Sequence, residues 1–153
     1  MAEISLVNGG VALIDDADIH LVSGYRWRNL QGYAFAMIDR KLVSMHSLLL
    51  DVDQGLLRDH KNGNTLDNRR LNLRAATKAQ NARNSKLRVD NTSGFKGVYW
   101  NKQYQKWKAQ IRIGSKRIFL GRFDDPSIAA KAYDNAAIRY FGEFARLNFP
   151  AVF

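Results

Sequence analysis

At 153 residues, with 46% hydrophobic and 11% aromatic content, the chain has the composition of folded material and the length of one ordinary domain or two small ones. Its net charge of +10 calls for a polyanionic partner, because clustered Lys and Arg gain free energy by displacing counterions condensed on a phosphate backbone. The lack of cysteine excludes a disulfide framework, a thiolate nucleophile and cysteine-held zinc, so any metal must sit on oxygen and imidazole ligands.

No P-loop, dinucleotide fingerprint or nucleophile elbow occurs, which removes the commonest nucleotide-hydrolysing and acyl-transfer chemistries. Without a long apolar run, a basic amphipathic helix or a signal-peptide pattern, the expectation is a soluble intracellular protein with no membrane partner. In "ISLVNGGVALIDD", Asn8-Gly9-Gly10 separates two short strand-like runs and predicts a hairpin. "GYAFAMI" and "KLVSM" around Asp39-Arg40 read as a second hairpin, and "HSLLLDV" as a short buried helix or strand that periodicity does not distinguish. His20 reads as a surface loop residue and His46 as a half-buried histidine of structural role.

An apolar lead-in at Leu56-Leu57 is followed by a polar loop from Lys61 to Arg70, a strand near Leu73 to Ala76 and a helix from Thr77. Thr77 and Gln80 fit a capping box, which puts Asn81 about one turn into that helix. "SKLRVDNTS", from Ser85 to Ser93, has the composition of a linker. From residue 93 onward 11 basic residues face 4 acidic ones, a charge of +7, while residues 1–92 hold 13 against 10, a charge of +3. The second segment is therefore the stronger polyanion binder.

"FKGVYW", "KWKAQIRI" and "KRIFLG" predict three strands, the last two joined at Gly114-Ser115. Alternation puts Trp107, Ala109, Ile111 and Ile113 on one face, and Lys106, Lys108, Gln110 and Arg112 on the other. Asp125 as cap and Pro126 in first position open a helix with an apolar stripe of Ile128, Ala129, Ala132, Tyr133, Ala136, Ala137 and Tyr140.

The stretch "DHKNGNTLDNRRLNLR", followed by "TKAQNARN", resembles the HNH nuclease family, in particular its phage and intron-borne homing type, over roughly residues 4–88. The resemblance implies a ββα-metal motif in which Asp59 and Asn81 ligate one divalent ion, His60 is the general base, and Asn72 fixes the loop and helps orient His60. Oxygen ligands suit magnesium, with manganese as an alternative and no zinc. An imidazole with an ordinary pKa of about 6.5 suits proton abstraction near neutral pH. Neighbours on a regular strand point to opposite faces, so irregular backbone is expected at Asp59-His60. Asn81 stands where the family's third histidine is common, and Ser47 follows His46 where phage relatives often have Arg. Arg69, Arg70 and Arg74 are assigned to the DNA backbone.

"SGFKGVYW", "KWKAQIRI", "FLGRFDDPSIAAKAYDNAAIRYFG" and "ARLNFP" look like the Apetala-two domain of plant ethylene-response factors over nearly all of residues 93–150. That resemblance implies a three-stranded sheet laid in the major groove, with contacts from Lys96, Gly97, Tyr99, Gln110, Arg112, Arg117, Phe119 and Tyr133. Lys96 and Tyr99 stand where plant domains usually carry Arg, Gln110 replaces Glu and Phe119 replaces Trp, so the plant target sequence does not transfer.

The expectation is thus an α+β chain. A β-rich nuclease domain spans 1–88, and a small domain at 93–153 packs a three-stranded antiparallel sheet on one helix. The implied activity is a metal-dependent endonuclease that nicks or cuts double-stranded DNA as a monomer or homodimer, in the cytoplasm of a bacterial host if phage-encoded. The alternative is a non-catalytic, sequence-specific DNA-binding regulator whose first domain is degenerate.

Overall fold

The Asn8-Gly9-Gly10 turn folds β1 (Ala2–Ser5) antiparallel onto β2 (Val11–Ile14), both glycines taking a φ of 94° that side chains resist. The computed structural model describes residues 1–150 as a mixed α and β protein, rich in sheet and with few helices; residues 151–153 of the second expected domain lie outside the described residues. Two compact units emerge, Met1–Lys78 and Ala79–Phe153. Among the described residues no helix is long and apolar enough to cross a membrane.

In the first unit a 3-10 turn at Asp16–Asp18 leads into α1 (Ile19–Val22), which places the exposed His20 on a helix rather than a loop. A meander follows, β3 (Arg28–Leu30), β4 (Tyr33–Ile38) and β5 (Lys41–Ser44), and the ambiguous "HSLLL" stretch resolves as part of α2 (Met45–Leu49). The turn at Asp39-Arg40 has φ of 47° and 61°, the left-handed pair that matches strand twist in a two-residue hairpin. Leu6, Ile14, Val22, Trp27, Met45 and Leu49 form the core, and the Trp27 indole donates to the Val22 carbonyl at 2.8 Å. β6 (Leu57–His60) pairs antiparallel with β7 (Leu73–Ala76); α3 (Lys78–Arg83) begins directly after Thr77, and all but its first residue belongs to the second unit. The pairing is regular from Leu57↔Ala76 to His60↔Leu73, so the irregularity expected at Asp59-His60 is not a bulge. The strand simply ends at His60.

In the second unit β8 (Val98–Asn101), β9 (Lys106–Ile113) and β10 (Lys116–Phe123) make one antiparallel sheet in the order β10-β9-β8. Ala109 and Ile111 are buried against α4 (Pro126–Phe141), whose cap residue Asp125 accepts from the Ser127 amide at 2.6 Å. Trp107 is half-buried on the same side, edge-on to Trp100 with ring centroids 5.1 Å apart.

The apolar stripe needs correction. Ala130, Asp134 and Phe141 face inward with Ala129, Tyr133, Ala136 and Ala137, whereas Ile128 and Tyr140 are 53% and 43% exposed. Asp134 turns in because its carboxylate accepts from the backbone amides of Asn148 (2.9 Å) and Phe149 (2.9 Å) and from the Asn148 side chain (3.0 Å), anchoring the chain beyond the helix. A register shift between Phe119 and Gly121 adds a bulge that alternation did not foresee.

Gly97 has a φ of 77°, and a Cβ there would lie 2.0 Å from the Tyr133 ring. Gly97→Ala is therefore expected to destabilise the chain by about 2–4 kcal/mol, through overpacking and left-handed backbone. Urea titration followed by tryptophan fluorescence measures it, and an unchanged midpoint contradicts the packing described.

Candidate functional site

The amide-rich loop between β6 and β7 is held by its own side chains. Asn62 Oδ1 accepts from the Asn64 amide (2.8 Å), and Asn64 Oδ1 from the Leu66 amide (3.1 Å). Asn72 closes the loop from its far end: its Oδ1 accepts from the Asn62 amide (3.0 Å) and its Nδ2 donates to the Asp67 carbonyl (2.7 Å). β2 braces the same loop, with Leu13 donating to the Leu66 carbonyl and accepting from the Asn68 amide, both at 2.8 Å. A loop with so few apolar contacts satisfies its backbone groups this way or not at all.

His60 is buried at the end of β6, with Nε2 3.2 Å from Asn68 Oδ1. Asn68 Nδ2 donates to the Leu66 carbonyl (3.2 Å), which leaves its oxygen toward the ring. An amide oxygen facing Nε2 suits the tautomer that carries its proton on that nitrogen. Asn68 was not singled out in the sequence; its one signal is its place within "LDNRR".

The His60 ring packs edge-on against His46 and Tyr33, at centroid distances of 5.4 and 5.9 Å, and His46 meets Tyr33 at 5.7 Å. His46 is therefore half-buried, as expected, yet it belongs to the surroundings of His60. Burial, then the charge of His60 and of Arg58, pushes the His46 pKa down to about 4. Burial also lowers that of His60, against the opposing pull of its hydrogen bond to Asn68 and of Asp59 and Asp67.

Asp59 is buried opposite Arg74, which reaches its Oδ2 from Nε at 2.8 Å and from Nη2 at 2.7 Å. Arg69 pairs with Asp67 through two bonds of 2.7 Å, and Arg70 clasps Asp18, with its Nη2 at 2.7 Å. Each arginine assigned to the DNA backbone thus balances a buried carboxylate. Arg69 and Arg70 keep 39% and 55% of their side chains exposed and Arg74 only 8%, so Arg74 is an interior group. Asn81 lies half-buried in the middle of α3.

Among the described residues no group of three or more His, Asp or Glu side chains forms a ready cage for a metal ion, so Asp59 and an amide oxygen would need water and phosphate to complete the shell.

On the second unit, cross-strand pairs place Arg112 beside Arg117 and Gln110 beside Phe119, with Tyr99 and Arg122 flanking Lys108 on the outer face. Tyr99 and Phe119 are exposed, and Arg122 stacks over the Tyr104 ring at 3.7 Å and reaches Phe119 at 5.2 Å. Lys108 and Arg122 were not among the assigned contacts, although alternation alone puts Lys108 there. Three assigned contacts lie elsewhere. Tyr133 is buried, which raises its pKa to about 12, and it fills the space beside Gly97. Lys96 donates to the carbonyls of Arg83 (2.6 Å) and Ser85 (2.9 Å), and burial lowers its pKa to about 8.

Residues 51–83 match the model of the HNH endonuclease family. The chain is 32% identical over 97 residues to Protein 3.8 of Escherichia phage T7, a span of 63% of this chain and 79% of that protein. It is 47% identical over 58 residues to the ethylene-responsive transcription factor ERF024 of Arabidopsis thaliana, covering 37% of this chain and 32% of that one. It is 38% identical over 58 residues to APETALA2-like protein 2 of Oryza sativa subsp. indica, covering 38% and 13%. The chain thus spans about a third or less of these two plant relatives.

Two outcomes follow from the geometry. Asn72→Ala removes two bonds from the loop and is expected to cost about 2–4 kcal/mol in a urea titration, since the Asp67 carbonyl and the Asn62 amide both lose their partner. His46 binds its proton less readily folded, at about 4, than unfolded, at about 6.5. Its contribution to stability is therefore complete above the unfolded value and lost as pH falls toward the folded one. Between pH near 7 and pH near 5 the urea midpoint should drop, and drop less in His46→Gln; an equal drop in both rules out His46 as a source of the dependence.

Proposed function

The chain belongs to the family of Protein 3.8 of Escherichia phage T7, and on that premise we propose that it is a metal-dependent DNA endonuclease of homing type. In this reading residues 1–88 cut and residues 93–153 bind. The observation that carries the reading is His60: a buried imidazole held 3.2 Å from Asn68 Oδ1, inside the segment that matches the HNH endonuclease family.

In the HNH reading, Asp59 and Asn81 would each offer an oxygen to magnesium or manganese. Bound there, the ion supplies positive charge to the scissile phosphate and the leaving oxygen. His60 takes a proton from water as the water oxygen bonds to phosphorus; the bond to the leaving nucleoside oxygen breaks, and that oxygen is protonated from solvent. Asn72 keeps the loop in place, and Asn68 holds the ring of the base. The exposed edges of Arg69 and Arg70 reach flanking phosphates.

Tyr99, Gln110, Arg112, Arg117 and Phe119, with Lys108 and Arg122 added, supply affinity and register on duplex DNA from one face of the sheet. One active site cuts one strand; a double-strand break requires a homodimer or two successive events. A second reading, a non-catalytic DNA-binding regulator, is favoured by one feature: Arg74 neutralises the carboxylate that the ion needs.

Supercoiled plasmid separates the two. With magnesium or manganese the protein is expected to produce nicked or linear DNA, EDTA to stop it, and His60→Ala to slow it by about 100-fold or more. Because burial lowers the His60 pKa, the rate should rise with pH through a value below the ordinary 6.5. Cutting that survives EDTA and His60→Ala removes the mechanism; tight duplex binding with no cutting under any metal establishes the regulator.

A further inference from the structure

Within the second unit an open cavity of about 850 Å³ lies beside the sheet, and the DNA-binding face of that sheet supplies only part of its lining. Arg112 and Arg117, cross-strand partners, come from the sheet. Arg83 and Arg88 come from the end of α3 and the segment after it, and Lys96 precedes β8. Five basic residues line the cavity and no carboxylate does.

The segment from Ser85 to Ser93, which carries Arg88, has the composition of a spacer, yet it and the end of α3 before it are fastened to their unit. The Lys96 ammonium binds the carbonyls of Arg83 and Ser85, occupying acceptors that a helix C-terminus leaves exposed. The Arg83 guanidinium lies over the Phe141 ring at 4.8 Å. Arg88 is held only by Asp90, through two 2.9 Å bonds between side chains 83% and 64% exposed. Pairs of that kind contribute little, so a phosphate can replace Asp90 at small cost.

We infer that Arg83 and Arg88 form the outer wall of a groove whose inner wall is Arg112 and Arg117, and that the sugar-phosphate backbone of duplex DNA lies between them. This rests on the reading of the sheet as a DNA-binding face and extends it to a segment outside that sheet. One phosphate would not balance five positive charges, whereas a run of phosphates does. The connecting segment is then part of the binding surface rather than a passive tether.

Anisotropy of a fluorescein-labelled duplex tests this with the full chain, in EDTA to prevent cutting, over a series of salt concentrations. Arg83→Ala/Arg88→Ala is expected to bind about ten-fold more weakly and to lower the slope of log affinity against log salt by about 2, near 0.9 for each phosphate no longer neutralised. Arg83→Lys/Arg88→Lys should retain most of both, because a point charge suffices for a phosphate. Should the double alanine variant lose its circular dichroism spectrum, Arg88→Ala alone, at an exposed position, should still lower the slope by about 1. If these variants bind as the parent does while Arg112→Ala/Arg117→Ala binds weakly, the groove is wrong and the sheet reading stands. If neither pair matters, both fail. Competition by free nucleotide at the concentration of the duplex, or tighter binding of structured RNA, overturns duplex DNA as the occupant.

Discussion

The chemistry of the first unit depends on a buried carboxylate staying charged. Asp67 accepts two bonds from the Arg69 guanidinium, one from the Arg69 amide and one from Asn62 Nδ2 (2.8 Å), while its own carbonyl receives Asn72. The Arg69 bonds hold its carboxyl below the usual carboxylate range, against the upward push of burial. If that charge were unmatched, the loop would carry an uncompensated anion in its interior, a defect worth several kcal/mol. With the charge matched, the next residue, Asn68, is fixed between the Leu13 and Leu66 backbones and aims its oxygen at His60. The hydrogen bond that His60 makes is thus set by a chain of contacts that starts at Arg69.

The same demand explains what became of the arginines. Asp59, Asp67 and Asp18 lie inside the unit, and each draws in a guanidinium, from Arg74, Arg69 and Arg70 in turn. A run of basic residues in a sequence looks like a hand held out to phosphate, but here half of its work is internal neutralisation. That accounts for the small surplus of +3 in residues 1–92 against +7 beyond them. Strong binding then has to come from the second segment, where Arg117 and Arg112 face outward without a carboxylate opposite them.

Local signals were legible where local chemistry decides. Asn8-Gly9-Gly10, the Asp39-Arg40 turn, the Asp125 cap with Pro126, and the inward Ala109 and Ile111 were all readable from neighbouring residues. What could not be read depends on partners far along the chain. Asp18 meets Arg70 across 52 positions, Lys96 meets Asn148 across 52, and Tyr33 meets His46 and His60 in space alone. The stripe on α4 held at Ala129, Tyr133, Ala136 and Ala137 but missed Asp134, which periodicity counts as a solvent residue and which only the tail at Asn148 and Phe149 explains. His46 carried no local mark of its packing against His60. The charge of Lys96 was visible in the sequence, whereas the carbonyls it caps were not.

The outer face of the sheet is where charge and exposed apolar surface coincide. A face meant only for water has little reason to expose Tyr99, Tyr104 and Phe119 together, since each leaves ring surface hydrated. Nor is their arrangement loose. Arg122 stacks on Tyr104 and reaches Phe119, so one cation orders two rings while its edge still offers donors outward. Flat rings held beside guanidinium groups suit a ligand that alternates apolar sugar and base surface with anionic phosphate, because each kind of group finds its complement without displacing the other. A simple anion would use the arginines and leave the rings wet; an apolar partner would bury the rings and strand the charges. Nucleic acid satisfies both.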